Sequence, residues 1–165
     1  MTVLVSDTSV IIDLERGDIL ETVFAMNAEF AVPDLLFERE LSGDLGARLV
    51  GLGLRVEELS PAEVEAATVL SRTDRSLSLA DTFAFALAQA RRWTLLTGDA
   101  GLRRAAEAHQ LEVHGALWVF DQLEASRTCA AQVLDEALTR TTSHPRCRLP
   151  RTEVARRLAR YRAEP

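Results

Sequence analysis

Apolar and polar positions divide the chain into short segments of alternating kind. The apolar run Val3-Leu4-Val5 stops at Ser6-Asp7-Thr8-Ser9, after which apolar residues resume at helical spacing with Val10, Ile11, Ile12 and Leu14. This pattern predicts a strand, a tight turn and a helix over residues 8–15, broken at Arg16-Gly17-Asp18. The sequence then reads as helix 19–26, strand 29–32, and a helix opened by Pro33 in its first turn with Asp34 as cap, ending near Ser42-Gly43. Glycines at 43, 46, 51 and 53 mark a turn-rich stretch before a third strand at 54–59. Ser60-Pro61-Ala62-Glu63 is a strong helix start, with a Ser cap, Pro at the first helical position and Glu three residues after the cap. Ser78-Leu79-Ala80-Asp81 is a second such start, with Asp in place of Glu.

The helix predicted over 79–91 is apolar nearly all round and so packs on most of its sides. It leads into a buried strand at 93–97, a helix at 101–108 and a last strand at 112–114. From Ala116 the pattern is purely helical, over 117–125, 130–139 and 150–162, with Ser143-His144-Pro145-Arg146 as linker. Alternation of strand and helix over the first two thirds argues for an α/β fold, a central parallel sheet of about five strands wrapped by helices. Residues 1–123 form the expected domain and 124–165 an Arg-rich helical extension packed on it.

With 165 residues the chain can bury a real core without disulfides or a structural metal. No apolar stretch is long enough for a membrane span, and the N-terminus lacks the features of a signal peptide, so a cytoplasmic location is expected. Cys129 and Cys147 form no CxxC and have no His cluster beside them, which argues against zinc and redox chemistry. His109, His114 and His144 are too scattered for a nucleophile–base pair, and no G-x-S-x-G occurs. Trp118 and Phe120 read as core or interface anchors.

Charge changes the picture more. All 19 basic residues are Arg, which excludes any mechanism that needs an ammonium group, including a P-loop or a phospho-acceptor site with its Lys. Residues 1–139 carry 11 Arg against 23 acids, whereas 140–165 carry 8 Arg against only Glu153 and Glu164. A basic tail on an acidic body suits a polyanion contact, docking onto an acidic face, or a solvated amphipathic helix.

Element order also gathers acids. Asp7 and Asp99 follow strands whose carboxyl ends share one edge of a parallel sheet, where open α/β sheets place their ligand sites. Asp81 lies in the first turn of a helix running antiparallel to those strands, and Glu38 about one turn into the helix leaving the second strand, so both reach the same edge. Singly, each acid reads equally well as a cap, a turn residue or part of a solvated face. Together, four carboxylates repel unless some hold protons or a cation intervenes. An oxygen-only set suits Mg²⁺ or Mn²⁺, and metal-assisted attack of water on a phosphodiester follows. Arg103 and Arg104 follow Asp99 by about one helical turn, within reach of a phosphate.

The segments Val5-Ser6-Asp7-Thr8-Ser9, Val32-Pro33-Asp34-Leu35-Leu36-Phe37-Glu38, Leu77-Ser78-Leu79-Ala80-Asp81 and Leu95-Leu96-Thr97-Gly98-Asp99 resemble the successive motifs of PIN-domain nucleases, including VapC-type toxins. The resemblance covers about residues 1–123. It implies a three-layer α/β/α sandwich, Mg²⁺ or Mn²⁺ at the acidic crevice and cleavage of single-stranded RNA. Asp7, Glu38, Asp81 and Asp99 match the family's four acids, and Ser9 and Thr97 match polar positions that support them or the substrate. Glu38 is preferred as second acid for its distance from Pro33, with Glu40 at a different face as the competing choice. The resulting reading is a metal-dependent endoribonuclease, a homodimer with RNA as substrate, and the toxin of a toxin–antitoxin pair with an antitoxin protein as partner. Its rival is a PIN-like module without catalysis that binds protein or RNA.

Overall fold

The structure, a computed structural model, describes residues 1–164. Five parallel strands form one sheet: β1 (Thr2–Ser6), β2 (Ala28–Pro33), β3 (Arg55–Glu57), β4 (Thr94–Leu96) and β5 (Val113–His114), in spatial order β3-β2-β1-β4-β5. Successive strands step outward from β1 to β3, and the chain then returns across the sheet to place β4 on the other side of β1. Because parallel crossovers are right-handed, the connections before and after β3 lie on opposite faces, which makes the α/β/α sandwich. The order reverses between β1 and β4, and the carboxyl ends of neighbouring strands splay apart at such a switch point to leave a crevice.

The first crossover contains α1 (Thr8–Arg16) and α2 (Leu20–Phe24). After β2 come α3 (Asp34–Leu36), a π-helical turn at Phe37–Leu41 that continues it, and α4 (Asp44–Leu52). Pro33 rather than Asp34 is the cap of α3; Asp34 is its first residue and accepts the Leu35 N–H at 2.7 Å. The stretch read as turn-rich is the helix α4. Gly46 is needed inside it because a Cβ there would lie 2.1 Å from the Leu41 carbonyl oxygen of the π turn. Gly53, at φ 111°, ends α4 in the left-handed region that favours glycine.

On the return face lie α5 (Pro61–Thr73), α6 (Leu79–Arg91) and α7 (Ala100–Ala108). Both predicted capping boxes form: Ser60 with Glu63, and Ser78 with Asp81. Helix α6 packs on β1, β2 and β4 and is itself covered by α5, so Ala84, Phe85, Ala86, Leu87 and Ala88 are all buried. Its small residues let the helix lie close to the sheet, and the depth of the burial explains why almost no polar side chain is tolerated in its middle.

The C-terminal helices are α8 (Ala116–Ala125), α9 (Ala131–Ser143) and α10 (Arg151–Ala163). Helix α9 packs on α1, where Thr141 Oγ1 donates to the Asp13 carbonyl at 2.9 Å and Gly17 admits the close approach. Helix α10 lies on α9, and its arginines meet acids of α8 and α9: Arg157 and Arg160 reach Asp121, Arg160 also Glu124, and Arg162 Asp135. Of the roles open to the basic tail, docking onto an acidic face therefore accounts for much of α10. Among the described residues no helix is long and apolar enough to cross a membrane.

Candidate active site

Asp7 stands at the switch point. Its N–H donates to the Leu96 carbonyl at 2.9 Å, continuing the β1–β4 ladder by one bond, and its carboxylate caps α1 by accepting the Val10 N–H at 3.1 Å. The side chain is nearly sealed, with 3 % of the residue exposed. Two hydroxyls complete its surroundings. Ser9 Oγ donates to Oδ1 at 2.6 Å, and Thr97 Oγ1 donates to Oδ2.

Those hydroxyls also face the other way. Ser9 Oγ accepts the Gly98 N–H and Thr97 Oγ1 accepts the Asp99 N–H, each at 3.0 Å. Each hydroxyl has one proton, and in both residues that proton goes to Asp7 while the lone pairs hold the turn after β4. Ser9 and Thr97 thus tie the carboxylate of one strand end to the main chain of its neighbour. Gly98 permits this: a Cβ there would lie 3.1 Å from Ser9 Oγ. Asp99 follows the turn, caps α7 by accepting the Leu102 N–H at 2.7 Å, and is otherwise exposed.

Asp81 enters from α6. One carboxylate oxygen accepts the Ser78 N–H at 3.1 Å in the capping box, and the residue is half-buried. Burial pushes the Asp7 carboxyl above the usual carboxylate range, and the Asp81 charge pushes it further, against the opposing pull of the hydrogen bonds from Ser9, Thr97 and Val10. Among the described residues no arginine or histidine forms an ion pair with Asp7, Asp81 or Asp99.

The two glutamates of the π turn part company. Thr8, the first residue of α1, donates its hydroxyl to Glu40, which brings that carboxylate beside the chain segment that carries Asp7. Glu38 is exposed, and its carboxylate makes no hydrogen bond or ion pair among the described residues. The extra residue of a π turn is the physical reason. The buried positions Leu36 and Leu41 are five apart, the spacing of one π turn, whereas an α-helix would bury positions 36 and 40 together. The polar run Glu38-Arg39-Glu40 between apolar residues is the sequence signal for it, and a reading at 3.6 residues per turn passes over it.

Arg103 is turned to the main chain, with Nη2 donating to the Thr97 carbonyl at 3.3 Å beside Gly115. Arg104 is exposed and free of ion pairs among the described residues. Phe120 is a core residue, and Trp118 stacks on His114 with ring centroids 4.3 Å apart.

No three of the His, Cys, Asp and Glu side chains among the described residues stand together as a ready-made metal cage. The donor set still fits a hard divalent ion that binds through one or two carboxylates and keeps most of its waters. Asp7 offers a buried carboxylate held in place by hydroxyls, with the charge of a second acid acting on it and no ion-pair partner for either among the described residues.

A family model described as a PIN domain matches residues 3–163, a span that includes all but the first residue of β1, the acidic edge and all three C-terminal helices. No curated protein matches the chain. The five-stranded parallel sheet, the acids at its switch point and a match over almost the whole length agree, and the chain belongs to the PIN-domain family.

Proposed function

We propose that this protein is a metal-dependent endoribonuclease that hydrolyses RNA phosphodiester bonds at the crevice formed by Asp7, Asp81 and Asp99. PIN domains are generally nucleases that use divalent metal ions, and the observation that carries the reading to this chain is the state of Asp7. A carboxylate that is buried, pushed toward its protonated form and set beside a second acid is a costly arrangement for stability alone. It becomes favourable when a divalent cation compensates the charge.

In this reading Asp7 is the fixed ligand, Asp81 and Asp99 bind the ion directly or through its waters, and Glu40 takes the place of second acid in preference to Glu38. Bound Mg²⁺ or Mn²⁺ would supply charge compensation, polarisation of the phosphodiester and an acidified attacking water. Ser9 and Thr97 position Asp7 and keep its oxygens oriented. The Gly98 turn fixes the distance between the first and last acids of the set. A toxin role with an antitoxin partner, and a homodimer, rest on the likeness of the four motifs to VapC-type toxins.

The experiment is cleavage of single-stranded RNA by purified protein with EDTA, Mg²⁺ or Mn²⁺. Cleavage should require the ion and disappear in Asp7→Asn. Undiminished cleavage by Asp7→Asn at saturating metal would overturn the assignment, and ion-independent cleavage would overturn the chemistry. A protein that binds RNA yet cleaves none in any condition would instead favour the non-catalytic module.

A further inference from the structure

The acidic edge opens into a cleft of about 620 Å³ whose opposite wall is basic. One side is the α1 face carrying Ser9, Asp13 and Arg16, continuous with Gly98 and Asp99; the other is the connection between α9 and α10, with Arg146 and Arg148. This connection is brought there by packing. Thr141 anchors α9 on the end of α1, and the chain then doubles back along the same face of α1 toward the sheet edge. A tight turn fixes it, with the Cys147 N–H donating to the His144 carbonyl at 3.0 Å and the Arg146 N–H meeting His144 Nδ1 at 3.1 Å.

The arginines of the basic tail fall into two sets. Arg140, Arg156, Arg157, Arg160 and Arg162 pair with Glu136, Glu153, Asp121, Glu124 and Asp135. Arg146, Arg148 and Arg151 form no ion pair among the described residues, and the first two of these line the cleft with their side chains exposed. Arg16 shares the cleft, 3.7 Å from Asp13 on its own helix. An acidic site on an acidic body repels the polyanion it has to cut. Unpaired arginines that border it supply a path by which a phosphate backbone can approach.

We propose that Arg146 and Arg148, assisted by Arg16, form a phosphate-binding wall that holds the backbone of a single-stranded RNA next to the scissile bond. The inference rests on the nuclease reading for the identity of its ligand. The wall contributes binding and alignment: phosphate contacts fix register without reading sequence. The C-terminal extension thereby becomes part of the substrate site, although none of the four acids lies in it.

The test is binding of a fluorescent single-stranded RNA to the full chain in EDTA, over a range of salt concentrations, so that it does not depend on cleavage. Arg146→Ala/Arg148→Ala should weaken binding about tenfold at low salt and flatten the dependence of log K on log salt by about 0.7 for each phosphate that is no longer neutralised. The control is Arg140→Ala/Arg156→Ala, which removes the same charge from arginines paired elsewhere on the extension, and it should bind nearly as the unmodified chain does. In cleavage assays the first double variant should lower kcat/KM, with the larger part of the loss in KM. Equal affinity and equal salt slope in the Arg146/Arg148 variant would overturn the wall, as would an equal loss in both double variants, which would reduce the effect to net charge. Arginine-dependent binding of polyglutamate in the absence of any RNA binding would overturn it too. If the chain cuts no RNA, the nuclease reading fails while the binding result stands on its own.

Discussion

Helix α6 has an acid at one end and an arginine at the other, and the two ends treat carboxylates in opposite ways. At its C-terminal end Arg91 meets Glu57 at 2.6 Å and Glu63 at 3.0 Å, Arg55 bridges Glu57 and Glu29, and both guanidinium groups lie 5.1 Å from the centre of the Trp93 ring. The Arg91 hydrogen bonds hold the Glu63 carboxyl below the usual range; at Glu57 burial pulls upward, and the bonds from Arg91 and Arg55 outweigh it. At the N-terminal end the Asp81 charge acts on Asp7, neither acid has an ion-pair partner among the described residues, and burial above all pushes the Asp7 carboxyl up. One cluster is complete in that each of its three carboxylates meets a guanidinium group, and it serves the fold. The other is incomplete, with no guanidinium partner among the described residues, a deficit in keeping with the metal site proposed above.

The largest expected effect tests the incomplete end. Asp7→Asn should lower metal-dependent RNA cleavage by about 10³-fold or more, since polarisation by an ion is worth several kcal/mol and each 1.36 kcal/mol is a factor of ten. It should also remove the rise in Tm expected of the unmodified chain on adding Mn²⁺. A variant that still gains the full Mn²⁺ stabilisation would show that the ion binds without Asp7, and the contrast between the two ends of α6 would lose its functional meaning.

Thr97→Val comes next. It deletes the proton given to Asp7 and the acceptor used by the Asp99 N–H, so it loosens both acids without removing either. Losses of about 10- to 100-fold in metal affinity are typical for groups that orient metal ligands. Titration of Mn²⁺ by calorimetry measures this directly, and an unchanged affinity would show that Asp7 is held well enough by Ser9 and Val10 alone. Glu40→Gln and Glu38→Gln form a companion pair. Activity should fall in the first and hold in the second, and the reverse outcome would return the role to Glu38.

At the complete end, Arg91→Ala should destabilise the protein by about 2 kcal/mol and leave Mn²⁺ affinity unchanged. It leaves Glu63, whose side chain is 9 % exposed, without its partner, and strips one guanidinium from the Trp93 ring. Denaturant unfolding gives the stability and calorimetry the affinity. A drop in metal affinity would mean that the two ends are coupled through α6.

Much of this was legible in the sequence because polar punctuation marks the ends of buried elements. Asp7 and Asp99 are visible as the residues where apolar strands stop, and Asp81 as the acid that closes a capping box, so the elements that carry them can be read in order along the chain. Five strands and their alternation with helices follow from the same punctuation. What was hidden depends on departures from ideal periods and on packing at a distance. The π turn shifts Glu40 into the position that an α-helical count assigns elsewhere, and Gly46, which reads as a turn residue, is a contact residue that lets α4 close on that turn. The cleft bordered by Arg146 and Arg148 exists only because Thr141 and Gly17 dock α9 on α1, a contact more than a hundred residues apart in the chain.

The smallest effect concerns pH, and its sign differs at the two ends. Glu63 has a depressed carboxyl, so its pairing with Arg91 stabilises the fold above about pH 4.5, the ordinary value, and is lost as pH falls through the lower, folded value. Glu63→Gln should therefore cost on the order of 1 kcal/mol at neutral pH and progressively less in acid. Asp7 has a raised carboxyl, so without metal its ionisation opposes folding: stability falls as pH rises from 3.8 through the higher, folded value. Asp7→Asn should then be more stable than the unmodified chain at neutral pH in EDTA, with the difference vanishing in acid, and Mn²⁺ should reverse the order by stabilising only the unmodified chain. Thermal unfolding of both variants between pH 3 and 8, with EDTA and with Mn²⁺, reads both signs. An Asp7→Asn chain that is less stable in EDTA at neutral pH would mean that its hydrogen bonds with Ser9, Thr97 and Val10 outweigh the cost of burying the charge, and the acid would then belong to the fold as much as to the site.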